Sequence, residues 1–359
     1  MSVFAHPEFD NHERVVFVRD AESGLKAIVA VHDTSLGPAL GGCRFWTYAS
    51  DDEALTDVLR LSRGMTYKSA LAGLPLGGGK SVVIGDARAL RAEPARAEAL
   101  FRALGRAVEQ LGGLYTAAED VGTSVADLEL VGRETRHVAG VARGQVGDPS
   151  PYTAYGVFRG LQAAVRHKLG RSDLEGLRVA VQGLGHVGQG LCEHLAEAGA
   201  KLIVADLDGE RVAALVERFG AEAGDPAAIL AADCDVVAPC ALGAVLNDDS
   251  IAALRAPVVA GAANNQLAEP RHGELLRRKG VLYAPDYLVN AGGIIVIAYE
   301  AGRRGPRFER AQAMAHIDRI HDTALEIFAR AEREGIATSL AADRLAEERF
   351  RRPGRARAA

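Results

Sequence analysis

The hydrophobic pattern changes character along the chain. LKAIVAVHD (25–33) is an apolar run that predicts a strand. DDEALTDVLRLSRGMTYKSAL (51–71) places Leu55, Val58, Leu59 and Met65 at helical spacing. KSVVIGD (80–86) reads as a buried strand leaving a glycine run. PARAEALFRALGRAVEQLGG (94–113) reads as an amphipathic helix through Leu100, Leu104, Val108 and Leu111, stopped by glycines. LYTAAED (114–120) predicts a strand, and Ser124 with Asp127 forms a capping box that opens a helix over SVADLELV.

GQVGDPSPYTAYG (144–156) reads as a turn-rich link. Beyond it strands and helices alternate regularly. The strands are LRVAVQG, KLIVADLD, CDVVAPC, APVVAGAAN and VLYAPDYLV; VGQGLCEHLAEAG and GERVAALVERFG are helices between them. This pattern predicts a parallel, doubly wound sheet. A long helix follows over about 307–335, then SLAADRLAEERF. The expected organisation is two α/β domains. Residues 1–148 form the first, with C-terminal helices from about 330 to 359 packing back on it; residues 149–329 form the second. The terminal RRPGRARAA is basic and of low complexity.

Composition narrows the function. The 359 residues carry a net charge of -5, which argues against nucleic acid or an anionic membrane as partner. No apolar run approaches a bilayer span, and the N-terminus lacks a signal-peptide core. Cys43, Cys192, Cys234 and Cys240 lack disulfide or zinc spacing and read as reduced thiols of a cytoplasmic protein. The ten histidines form no metal-ligand motif, so no metal is expected.

Lysine is scarce: six against 36 arginines. A lysine here is worth asking about, because it can lose its proton when desolvated and arginine effectively cannot. Two of the six fall in KSALAGLPLGGGKS (68–81). This is not a phosphate-binding loop, since Leu74 stands where the first glycine belongs and a strand follows where a helix should. The glycines instead allow close approach to the backbone and leave Lys80 at the mouth of the sheet. Lys68, at or just past the end of its helix, and Asp120, at the end of its strand, converge on the same cleft. Two lysines suit a small anionic substrate. A charged Lys68 beside a desolvated Lys80 would pull the latter toward the neutral base. The competing reading is two surface lysines balancing nearby acids.

VAVQGLGHVGQGL supplies Gly183, Gly185 and Gly188 as G-x-G-x-x-G after a strand and before a helix, with Asp206 ending the next strand. That context predicts a dinucleotide site. Gly183 makes the turn, Gly185 admits the pyrophosphate, and Gly188 lets helix and strand pack. Leu184, His186 and Val187 fill the loop, with His186 as a helix-start residue. Asp206 would accept from the ribose hydroxyls and repel a 2′-phosphate, favouring NAD over NADP.

LGPALGGCRFW, RGMTYKSALAGLPLGGGKSVVIGD, TAAEDVGTSVADLE, GDPSPYTAYGVFRG, AVQGLGHVGQGL, DCDVVAPCALGAVLND, GAANNQLAEPRHGELL and YAPDYLVNAGGIIVIAYE occur in that order. Together they resemble the NAD-dependent amino-acid dehydrogenases (glutamate, leucine, phenylalanine, valine), most of all the leucine dehydrogenase branch, over nearly the whole chain to about Phe350. The resemblance implies a substrate and oligomerisation domain, a Rossmann NAD-binding domain, and an active site in the cleft between them. It implies reversible oxidative deamination of leucine, valine and isoleucine to 2-oxo acid, ammonium and NADH. Lys80 would activate water, and Asp120 would bind the amino group and carry protons as ammonia leaves. Lys68, with backbone near Gly41 and Gly42, would hold the substrate carboxylate. Thr153, Asn265, Cys240 and Ala241 would line the cofactor cleft, and Asn290 would lie where a hinge strand meets it. Leu40, Ala118, Ile294 and Ile297 would form an apolar side-chain pocket. Leu40 replaces the lysine expected for glutamate, which would leave a buried, unpaired charge. Phenylalanine or valine dehydrogenase is the alternative within the family. A non-catalytic dinucleotide sensor is the alternative outside it, and Lys68, Lys80 and Asp120 in the other domain stand against that. The resemblance also implies a homo-oligomer, commonly an octamer.

Overall fold

The computed structural model describes residues 2–141, 147–301 and 309–351. They fall into two units. The first comprises Met1–Gly147 and later segments beginning at Ile297 and Ala346; the second comprises Asp148–Val296 and Glu309–Leu345.

In the first unit the chain forms β1 (Arg14–Asp20), β2 (Leu25–Asp33), β3 (Ala39–Trp46), α1 (Asp51–Leu71), β4 (Gly77–Ile84), α2 (Ala87–Arg91), α3 (Pro94–Glu109), β5 (Tyr115–Glu119) and α4 (Val125–Val131). The strand order is β1-β2-β4-β3-β5, with β3 parallel to β4 and β5, and β2 antiparallel to β1 and β4. Two strands, β1 and β3, escape the sequence pattern: β1 is a half-exposed edge strand and β3 carries two glycines. Local chemistry sets α1. Ser50 caps it by accepting from the Glu53 amide at 3.1 Å, three acids occupy the first turn, and Lys68 occupies the last. Leu55, Val58 and Leu59 are buried as the periodicity requires.

The glycine run differs from expectation. Gly77, Gly78 and Gly79 are residues of β4 itself, so Lys80 is the strand's fourth residue and not its first. Packing requires this. A Cβ on Gly78 would collide with the backbone amide of Thr66 in α1, and one on Gly79 would sit 2.6 Å from the Tyr115 ring. The bare strand lets α1 and β5 close in on either side of it.

The second unit contains α5 (Ser150–Leu169), β6 (Arg178–Gln182), α6 (His186–Glu197), β7 (Lys201–Ala205), α7 (Gly209–Phe219), β8 (Glu222–Ala223), β9 (Val236–Pro239), α8 (Asp248–Ala253), β10 (Val258–Val259), α9 (Arg271–Arg278), β11 (Leu282–Tyr283), α10 (Asp286–Val289), α11 (Gly292–Ala301), α12 (Arg310–Glu334) and α13 (Thr338–Phe350). Val296 of α11 and Leu345 of α13 are its last residues on those two helices. The strands form one parallel sheet in the order β11-β10-β9-β6-β7-β8. From β6 the chain runs outward to β8, then restarts at β9 on the other side. That reversal is the topological switch point at which doubly wound sheets bind dinucleotides. Val179, Ala180, Val181, Val204, Val236 and Val237 are fully buried, as strands covered on both faces must be.

Three boundaries are corrected. Most of the expected link after residue 148 is helix α5: Pro149 and Pro151 stand at its start, where a missing amide costs nothing. Its glycines are packing positions, since a Cβ on Gly160 would fall into Val289 of α10. VLYAPDYLV is strand only at Leu282–Tyr283, and Asn290 caps helix α10 instead of ending a strand. Helix α12 lies along α5, burying Ile317, Ile320, Ala324, Ile327 and Phe328, so the return to the first unit begins at Ala346 and not near residue 330.

That return is tightly bonded. Tyr67 Oη donates to Glu347 at 2.8 Å, Arg349 Nη1 to the Leu71 carbonyl at 2.8 Å, and Ser35 Oγ to the Phe350 carbonyl at 2.7 Å. The Phe350 ring packs edge-on against Tyr67 at 5.4 Å. Nearby, the His12 and His32 rings meet edge-on with centroids 4.8 Å apart. The Arg-rich tail from residue 352 lies outside the described residues.

Candidate active site

The first unit holds an acid–base pair. Lys80 Nζ lies 2.7 Å from Asp120 Oδ2, and Lys80 is 5% exposed. The two come from β4 and from the residue after β5, with β3 between those strands. Gly42 of β3 makes the meeting possible. A Cβ there would sit 2.6 Å from Asp120 Cβ and 3.1 Å from Lys80 Nζ. Gly41 beside it admits no side chain either, because its Cβ would meet the Gly79 carbonyl.

Buried polar groups fix this arrangement. Tyr115, fully buried on β5, donates to the Gly41 carbonyl at 2.8 Å and bonds Ser81 Oγ at 3.1 Å. Burial holds its phenol well above the ordinary value, so it stays a donor. Thr123 Oγ1 accepts from the Asp120 amide at 3.0 Å and donates to the Cys43 carbonyl at 2.9 Å. Arg44 Nε donates to Asp120 Oδ2 at 3.2 Å. Burial pushes the Asp120 carboxyl upward, but the charges of Lys80 and Arg44 outweigh it and leave the group below the usual carboxylate range. Arg44, Tyr115 and Thr123 were not singled out from the sequence. The arginine in GGCRFW and the tyrosine and threonine flanking TAAED were the available signals.

Lys68 is half-buried in the last turn of α1. It lies two residues beyond Thr66, whose amide packs on Gly78, itself two residues before Lys80. Leu40 on β3 and Ala118 on β5 are buried at 2% and 7% exposure. Leu40 is paired with Gly78 and Thr116, and Gly42 with Ala118. Ile297, on α11, is assigned to the first unit.

The second unit holds the glycine loop. Gly183 has φ of 92°, in the left-handed region, and lies against Ala241; a Cβ on it would sit 2.7 Å from the Ala241 amide. Gly188 packs on the Gly183 carbonyl so closely that no Cβ fits. Gly185 caps α6, and a Cβ there would meet nothing within 4 Å. The tight turn and the close helix are thus closed by protein, while the middle glycine faces open space. That arrangement fits a dinucleotide pyrophosphate at the α6 N-terminus. Leu184 is buried, and its amide donates to Asp206 Oδ2 at 2.6 Å. Burial works to raise the Asp206 carboxyl, but the amides of Leu184 and Asp208 hold it below its usual value. Asp206, the residue after β7, therefore braces the loop. His186 is exposed, with Nδ1 3.3 Å from Asp148, and Val187 is half-buried. Leu207 and Leu242, 95% and 80% exposed, follow Asp206 and Ala241.

Cys240 donates its amide to the Gln182 carbonyl at 2.7 Å, and burial pushes its thiol up to about 12. Thr153 is in the first turn of α5, bonded to the Pro149 carbonyl, and a Cβ on Gly293 would sit 2.7 Å from its hydroxyl. Asn265 is exposed with φ of 53°. Asn290 donates to the Ala262 carbonyl at 3.1 Å and to Asn264 Oδ1 at 2.8 Å, while its own Oδ1 is buried without a partner among the described residues. Ile294 is buried on α11. Among the described residues no cluster of three metal-ligating side chains occurs, and no helix is long and apolar enough to cross a membrane.

Comparison with known proteins places both constellations in one family. The model of the Glu/Leu/Phe/Val dehydrogenase dimerisation domain matches residues 12–137, and that of Glutamate/Leucine/Phenylalanine/Valine dehydrogenase matches 148–212 and 208–352. A leucine dehydrogenase of Geobacillus stearothermophilus is 52% identical over 359 residues, covering 99% of this chain and 95% of that protein. A valine dehydrogenase of Streptomyces virginiae is 49% identical, covering 96% and 95%. The crystal structure of an L-tryptophan dehydrogenase from Nostoc punctiforme superposes with a TM-score of 0.83 at 41% identity, covering 95% and 96%. The chain belongs to the Glu/Leu/Phe/Val dehydrogenase family of amino-acid dehydrogenases.

Proposed function

We propose that the protein catalyses NAD-dependent oxidative deamination of branched-chain L-amino acids, leucine foremost with valine and isoleucine. The observation that carries the reading is the buried Lys80–Asp120 pair at 2.7 Å in a chain that also holds the glycine loop braced by Asp206. NAD would be held by Gly183, Gly185 and Gly188 with Asp206 at the ribose, and when bound it supplies the acceptor for the hydride from the α-carbon. Asp206 favours NAD because its carboxylate repels a 2′-phosphate.

The chain's own residues do the rest. Lys68 holds the substrate carboxylate by charge, beside the side-chain-free backbone of Gly41 and Gly42. Asp120 accepts from the α-ammonium. Lys80 first gives a proton to Asp120 across their 2.7 Å contact; once the α-carbon is oxidised, the freed amine takes a proton from water as that water adds to the carbon. Asp120 then passes a proton to the departing nitrogen. Burial of Lys80 keeps bulk water from competing for that proton. Thr153, Asn265, Cys240 and Ala241 border the nicotinamide.

Leu40, Ala118, Ile294 and Ile297 receive the substrate side chain. All are apolar, so a second carboxylate would be desolvated without a partner. Among leucine, valine and isoleucine, which differ by at most a methylene in reach, discrimination amounts to about 1–3 kcal/mol. Four free cysteines fit a reducing cytoplasm. The dimerisation-domain match supports a homo-oligomer, which we place as high as an octamer. The decisive experiment is NADH formation from leucine, valine, isoleucine, phenylalanine, tryptophan and glutamate. The expected order puts the branched chains first and glutamate last; a preference for an aromatic or acidic substrate overturns it.

A further inference from the structure

Both cations near Asp120 reach the same oxygen. Lys80 Nζ at 2.7 Å and Arg44 Nε at 3.2 Å converge on Oδ2, and Oδ1 takes no side-chain hydrogen bond among the described residues. Arg44 is itself anchored. Its Nη1 lies 3.2 and 3.0 Å from the two oxygens of Asp57 on α1, and Tyr48 Oη donates to Asp57 Oδ2 at 2.6 Å. Arg44 therefore spans two carboxylates on different elements, with its side chain 23% exposed. Burial alone would weaken its charge, but Asp120 and Asp57 more than offset that. A guanidinium offers its donors in one rigid plane, so with Nη1 shared between both Asp57 oxygens little freedom is left at Nε.

We propose that Arg44, seated on Asp57, is a positioning residue that turns the Asp120 carboxylate so that Oδ2 faces Lys80 and Oδ1 is left for the substrate's amino group. The inference rests on the proposed function for its substrate clause only; the clamp is a property of the protein alone. Lysine at position 44 could reach one carboxylate as a point charge but could not hold both in a fixed plane.

Among the described residues Asp120 faces Lys80 from β4, Arg44 and Cys43 from β3, Tyr115 from β5, Tyr48 ahead of α1 and, through Arg44, Asp57 from α1. Asp127 of α4 is occupied by Ser124 and lies 3.8 Å from Arg91. The test uses the full-length protein with Arg44→Gln, Arg44→Lys and Asp57→Asn. The Asp120 carboxyl is titrated by carbon NMR, its signal identified by loss in Asp120→Asn, beside the pH profile of leucine oxidation. Arg44→Gln is expected to raise the Asp120 midpoint by about 1 unit or more, because an adjacent arginine lowers a carboxyl by ~1–3 units. The acidic limb of the rate profile should move up with it. The rate should fall by up to about 100-fold, the scale of an ångström-sized misplacement. Arg44→Lys should restore the midpoint but little of the rate, and Asp57→Asn should lower the rate with a small midpoint shift. An unmoved Asp120 midpoint in Arg44→Gln overturns the proposal. If that variant does not fold, an unchanged rate in Asp57→Asn overturns it. A shifted midpoint in a protein that oxidises no amino acid leaves the clamp standing and removes the proposed function.

Discussion

Lys80 and Asp120 meet across a strand that has no side chain at the crossing point. Their 2.7 Å contact runs over Gly42, where even a methyl group would press on both partners. Gly42→Ala should therefore part the pair without touching the glycine loop of the other unit. The expected outcome is a rate lower by about 100-fold, with NAD affinity by fluorescence titration unchanged. A fully active alanine variant would show that the pair's contact is dispensable.

Lys80→Ala removes the proposed base and leaves Asp120 with Arg44 as its charged partner. Turnover should drop by about 100-fold or more, the contribution of a positioned acid–base group. Added primary amines should restore part of it, and NAD should still bind. Turnover within a fewfold of the parent protein would rule out the assignment.

Asp206 bonds the Leu184 amide at 2.6 Å, and the proposed function adds a second duty at the ribose. Asp206→Ala should thus weaken NAD binding as well as narrow the preference over NADP. The check is a pair of dissociation constants. An unchanged ratio would take the ribose role away from Asp206.

Tyr115→Phe keeps the ring that fills the space beside Gly79 but deletes the hydroxyl on Gly41 and Ser81. The stranded buried groups should cost about 1–3 kcal/mol in urea unfolding. A stability loss under a few tenths would mean that another donor satisfies the Gly41 carbonyl.

His12 and His32 give the protein an acid-sensitive seam. Burial, and for His12 the neighbouring His32, lower both imidazoles, His12 to about 4 from 6.5. His32 also faces Asp10 at 3.5 Å, and His12 bonds Ser62 and the Leu59 carbonyl. The unfolded chain takes up these protons at higher pH than the folded one. Stability is then intact above about pH 6.5 and falls as pH drops toward 4, by at most about 1.4 kcal/mol per pH unit for each histidine. Urea midpoints between pH 7 and 4.5 should show that slope, and His12→Asn should flatten it. A slope unaltered by the substitution would assign the acid loss elsewhere.

What could be read from the sequence was chemistry carried by short, local patterns. The glycine loop needs its residues in one run, and Lys80 and Asp120 stand out because lysine is rare and each adjoins an apolar strand segment, Lys80 ahead of SVVI and Asp120 after YTAAE. Arg44 could not be found that way: its partner Asp120 is 76 positions distant, and only the β3–β5 pairing brings them together. Strand β3 was hidden because Gly41 and Gly42 are poor strand formers in isolation, favoured here by what must fit above them. Helix α5 was hidden for a related reason. Pro149, Pro151, Gly156 and Gly160 look like breaks, yet the prolines start the helix and Gly160 gives way to Val289. Tertiary packing, not propensity, decides these positions.

The bonds from Tyr67, Leu71 and Ser35 to Glu347, Arg349 and Phe350 bear on biosynthesis. A ribosome releases the first 147 residues long before the segment that finishes their packing. Until residue 350 emerges, Tyr67 lacks its bond to Glu347 and the Leu71 carbonyl its bond from Arg349. That end of α1 also carries Lys68. An amino-terminal fragment cut at the unit boundary would therefore lack the piece that steadies its own lysine-bearing helix. A nonsense mutation at position 347 would strip Glu347, Arg349 and Phe350 from the first unit while leaving every residue of the second, which ends at Leu345, in place.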